Sequence, residues 1–72
     1  MSNAQATSLK QALRFADIGQ AELIRLMREN REALACSESH INRFYNGLRP
    51  GPQYRAAINR ALATRNVEIK WD

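Results

Sequence analysis

The sequence predicts an all-α fold: a small bundle of four to five helices followed by a short C-terminal β-strand. Three features carry this expectation. Apolar residues recur at steps of three and four from Leu9 to Leu62, the period of helices with one buried face. Cap and stop residues (Ser8, Gly19, Ser37, Gly47, Pro52) cut that run into short pieces. Beyond residue 65 the period changes to two, with Val67, Ile69 and Trp71 alternating with Glu68, Lys70 and Asp72, which is the pattern of a strand.

The best-marked helix lies in the middle of the chain, over residues 37–47. Ser37 is a good N-cap, because its hydroxyl can accept a hydrogen bond from an otherwise unpaired first-turn N–H. Glu38 beside it suits the positive end of the helix dipole. Ile41, Phe44 and Leu48 fall at i, i+3 and i+7 and predict one buried stripe. Asn46-Gly47 tolerates a left-handed backbone and ends the helix. Outward this leaves Glu38, Ser39, Asn42 and Arg43, all able to reach base edges in a DNA groove. Arg43 can hold a guanine through two hydrogen bonds and Asn42 an adenine; Glu38 is either a dipole residue or a cytosine reader.

The remaining elements follow in order. Residues 1–6 are expected to form a disordered arm, and residues 7–65 one helical domain. Thr7 or Ser8 caps a first helix running to about Asp17, with Leu9, Ala12, Leu13 and Ala16 inward. Ile18-Gly19 is a connector. A second helical run starts at Gln20 and continues without Gly or Pro to about Ala35, with Leu23, Met27 and Leu34 inward. It is one long helix or two with a kink near Asn30. Leu48-Arg49-Pro50-Gly51-Pro52 is a loop, and a helix from about Gln53 to Thr64 turns Tyr54, Ala57, Ile58, Ala61 and Leu62 to the core. Residues 66–72 form the strand. No second strand is evident, so its expected partner is the same strand of another copy, through Val67, Ile69 and Trp71; the alternative is a frayed tail whose Trp71 packs on the helices.

Composition narrows the function classes. A chain of 72 residues buries only about 60% of the surface it exposes when unfolded, so dimerisation is a reasonable expectation. The formal net charge is +4. All of the excess lies between Leu48 and Val67, where Arg49, Arg55, Arg60 and Arg65 stand with no acidic residue. Such a segment is a phosphate-binding surface or a solvated helix face; its position next to the 37–47 helix favours the first. The single cysteine, Cys36, fits a reducing compartment, and no membrane span or signal segment is evident, so the expected location is cytoplasmic. Cys36 and His40 are too few ligands for a structural metal, and Cys36 is expected to fill the core. No nucleophile–base set, glycine-rich phosphate loop or paired acids are present, so neither catalysis nor a cofactor is expected.

Gln20-Ala21-Glu22-Leu23, the Ser37–Gly47 stretch with its closing Asn-Gly, and Leu48-Arg49-Pro50 with the helix after it resemble the Cro and cI-type (lambda repressor-like) helix-turn-helix family over most of residues 8–64. The resemblance implies a DNA-binding domain that docks as a dimer, with its third helix in the major groove. It implies that Gln20 contacts a phosphate, that Glu38, Ser39, Asn42 and Arg43 face the groove, and that Asn46 and Arg49 lie near the backbone. One departure stands out. Gln20 and Ser37 are 17 positions apart, roughly seven residues or two helical turns more than in the family. A lengthened second helix would carry Gln20 away from DNA and let Arg28 or Arg31 take over its phosphate. Ser37, His40 and Arg55 complete the expected phosphate set.

The expected function is therefore a sequence-specific, homodimeric transcriptional regulator of phage or prophage type, with double-stranded DNA as partner and no membrane role. The alternative is a protein-partner module, such as an antitoxin or a phage adaptor, docking through Arg25, Arg28 and Arg31 alternating with Glu29 and Glu32.

Overall fold

A computed structural model describes residues 4–31 and 37–71. Two short strands and four helices follow one another as β1 (Ala4–Ala6), α1 (Leu9–Ala16), α2 (Gln20–Glu29), α3 (Glu38–Tyr45), α4 (Pro52–Ala63) and β2 (Val67–Ile69). The chain is thus mostly helical, with a strand pair added.

Local chemistry accounts for several of the helix ends. Ser8 caps α1, its Oγ accepting from the N–H of Gln11 at 3.2 Å. Gln11 reaches back, its Oε1 accepting from the N–H of Thr7 at 2.8 Å, so donors on both sides of the cap are satisfied. The reversal after α1 occurs at Asp17, with φ +57, and not at Gly19. Gly19 has an extended backbone and caps α2. In α3 Ser37 is the cap, accepting from the N–H of His40 at 3.3 Å. Gly47, at φ +111, closes that helix: Leu48 N–H bonds Arg43 O at 2.9 Å and Gly47 N–H bonds Phe44 O at 3.2 Å, the paired closure of a left-handed C-terminal cap. Pro52 opens α4, where its missing N–H is no loss.

α2 does not continue to Ala35. It stops at Glu29, Asn30 caps it, and Arg31 turns left-handed at φ +53. The 17 positions from Gln20 to Ser37 are therefore not spanned by α2. Leu34 and Cys36, expected in the core, lie outside the described residues.

Each helix sends fully buried side chains to one core: Leu9 from α1, Leu23 from α2, Ile41 from α3, Ile58 and Leu62 from α4. Burying such a side chain stabilises the fold by about 1.5–3 kcal/mol. α2 buries Ile24 and Leu26 as well as Leu23 and Met27. Leu48 departs from the predicted stripe and is 54% exposed. The helix has ended at Tyr45, so helical spacing no longer governs where Leu48 points.

The expectation of an unstructured 1–6 arm is corrected at residues 4–6, which form β1. β1 and β2 pair in parallel, with Ala4 opposite Val67, Gln5 opposite Glu68 and Ala6 opposite Ile69. The second strand that periodicity did not reveal is in the same chain. Val67 and Ile69, each 2% exposed, belong to the core of their own copy, so pairing of β2 across a dimer is replaced by pairing with β1. The other edge of β2 is closed by α4: Asn59 Nδ2 donates to Ile69 O at 3.0 Å and Asn59 Oδ1 accepts from Ile69 N–H at 2.9 Å.

Candidate nucleic-acid interface

α3 carries its polar residues outward. Glu38, Ser39, Asn42 and Arg43 are all exposed, while Ile41 and Phe44 point inward. The i, i+4 spacing brings Asn46 Nδ2 to Asn42 Oδ1 at 3.1 Å, which favours one orientation of the Asn42 amide. Arg43 stands in the last turn, where a cation also complements the helix dipole.

Apart from Gln20, the residues expected on phosphates divide into three groups. Arg28, Arg31, Asn46 and Arg49 are exposed. Ser37 is exposed but engaged twice, as the cap of α3 and through its Oγ, 3.1 Å from His40 Nδ1. His40 and Arg55 are half-buried. The His40 ring stacks on Phe44 at 6.3 Å between centroids and meets Tyr54 of α4 at 5.6 Å. His40 is thus a packing residue that joins α3 to α4, and its role as a phosphate contact is reduced to what its outer edge can reach.

Electrostatics favours anions. Arg25 is held in its own helix by Glu22 at 2.7 Å and Glu29 at 3.7 Å. Among the described residues, Arg28, Arg31, Arg43, Arg49, Arg55 and Arg65 have no ion pair. Exposed cations without partners keep their charge available to a polyanion.

Gln20 occupies a position the sequence did not suggest. With Lys10, Arg14 and Tyr45 it lines an open cleft of about 470 Å³ between the end of α1, the start of α2 and the end of α3. Lys10 Nζ sits 5.8 Å from the centroid of the Tyr45 ring. Gln20 therefore neighbours the C-terminal end of α3, about 12 Å along the helix from Ser37 at 1.5 Å per residue. Lys10 and Arg14 were missed as candidates; their i, i+4 spacing on the outer side of α1 is the signal that could have found them. Trp71, the third residue expected at a dimer contact, is half-buried against the core, and its Nε1 has no hydrogen-bond partner among the described residues.

Among the described residues no group of three or more His, Cys, Asp or Glu side chains is placed to hold a metal, and no helix is long and apolar enough to cross a membrane. Comparison of the chain with protein-family models, with curated proteins and with solved structures returned no match.

Proposed function

We propose that this chain binds duplex DNA as a sequence-specific transcriptional regulator, with α3 entering the major groove. The observation that carries this reading is the outer face of α3. It presents four polar side chains without an apolar residue among them, and one of these, Asn42, is pre-oriented by Asn46. Base edges are read by such donors and acceptors, and a pre-oriented amide loses less freedom on contact. The unpaired arginines around it supply the sequence-independent attraction to phosphate. In this reading Arg43 and Asn42 read bases, Ser39 and Glu38 flank them, and Arg49 and Asn46 meet the backbone. Gln20, with Lys10 and Arg14, reaches a phosphate beyond the C-terminal end of α3. A phage-type, cytoplasmic regulator acting as a homodimer is the fuller form of this proposal.

Selection of bound duplexes from a randomised DNA pool at near-physiological salt tests it. An enriched motif a few base pairs long is the expected result; absence of any enrichment overturns it. A protein-partner module is the second reading, favoured by two exposed large apolar residues, Phe15 at 49% and Leu48 at 54%. Its mark is a stable complex with a protein, together with no retention on DNA.

A further inference from the structure

We infer that the outer edge of β1 is where a second copy of this chain pairs, two β1 strands meeting antiparallel about a two-fold axis at Gln5. Ala4 N–H donates to Asn66 O at 3.0 Å and Lys70 N–H donates to Ala6 O at 2.8 Å, so Ala4 and Ala6 turn their peptide groups to β2. Alternation along a strand turns the N–H and C=O of Gln5 the other way. Among the described residues neither has a hydrogen-bond partner.

The two edges of the sheet differ in kind. That of β2 is closed by the Asn59 amide, which occupies both backbone groups of Ile69. That of β1, three residues long, has no proline, no lysine and no bulge, three of the devices that keep exposed strands from pairing. Its side chains, Ala4 and Gln5, are exposed and uncharged.

A second copy is the occupant that fits. An antiparallel pair centred on one residue exchanges both of its bonds with the same residue opposite, so Gln5 N–H donates to Gln5 C=O of the second copy and the reverse. Residues 2–9 have no ionisable side chain in a chain of net charge +4, so two copies repel each other least along this segment. The result is a four-stranded sheet in place of two marginal two-stranded ones. Thr7 and Ser8, which follow β1 and lead into α1, line a cleft of about 190 Å³ with Leu48 and Trp71, so apolar surface adjoins the edge. This pairing supplies the two-fold of the DNA-binding reading but does not need DNA.

Sedimentation velocity of the full chain without DNA, over a wide concentration range, is the test. The wild type is expected to pass from monomer to dimer. Gln5→Pro removes one outward N–H per copy and leaves the β1–β2 bonds in place; it is expected to raise the dimer dissociation constant by at least roughly tenfold. If that variant does not fold, hydrogen exchange on the wild type decides: the Gln5 N–H slows as concentration rises. A wild type that stays monomeric, a folded Gln5→Pro dimer of unchanged affinity, or concentration-independent Gln5 exchange overturns the pairing. Such a failure remains distinct from failure of the DNA reading, because a monomer still enriches a single half-site.

Discussion

The side chains of Asn42 and Asn46 are joined one turn apart on the outer face of α3, Asn46 Nδ2 donating to Asn42 Oδ1 at 3.1 Å. This leaves the Asn42 Nδ2 donor, and the second lone pair of its oxygen, facing outward. In the DNA-binding reading, Asn42→Ala loses about 1–3 kcal/mol of discrimination at one base pair. Asn46→Ala is expected to lose part of that at the same base pair. Competition binding against single-base variants of a selected site checks this, and effects of the two substitutions at different base pairs would sink the assignment.

Arg43 and Arg49 are both exposed but are assigned opposite roles. Arg43→Ala should relax preference at one position by about 1–3 kcal/mol and leave others unchanged. Arg49→Ala should weaken all sequences alike and reduce the slope of log affinity against log salt by about one. Titrations at several salt concentrations, on selected and scrambled duplexes, separate them. An unchanged salt slope for Arg49→Ala would remove it from the phosphate set.

The Asn59 amide satisfies both backbone groups of Ile69, a partly buried pair that water cannot fully replace. Asn59→Ala is expected to cost about 1–3 kcal/mol, read as a lower midpoint in urea with the slope unchanged. An unaltered midpoint would mean that the edge is solvated without loss.

Truncation after Asn66 tests the strand pair. Val67 and Ile69 are each 2% exposed, and losing both removes about 3–6 kcal/mol of burial. That is a large part of the roughly 5–15 kcal/mol by which a domain is stable. The shortened chain is expected to lose its cooperative melt by circular dichroism. A fully folded truncated monomer would instead mark the strand as an appendage.

Local signals made much of the architecture legible. Ser8 and Ser37 cap where their hydroxyls predicted, Gly47 stops α3, and Pro52 opens α4. The outward set of α3 was legible for the same reason, since one short helix fixes which residues share a face. What escaped were features that depend on two distant segments. β1 is Ala-Gln-Ala, with no strand preference of its own; it is a strand because β2 lies beside it. The cleft joining Gln20 to Tyr45, and His40 packed on Tyr54, likewise arise between helices. Asp17 and Arg31 take left-handed turns that glycine would have announced.

By itself the sequence determined a bundle of four to five helices, a strand within residues 66–72, the excess of positive charge and the outward face of the 37–47 helix. Each of these follows from residues within a turn or two of one another, where side-chain period and capping act directly on the backbone. Tertiary structure alone decided that Leu48 is exposed and that β2 finds its partner at Ala4–Ala6. The reason is physical. A strand edge is satisfied by whichever backbone the packed core brings beside it, and the Ala4–Val67 pair spans 63 positions (67 − 4) that no local pattern encodes.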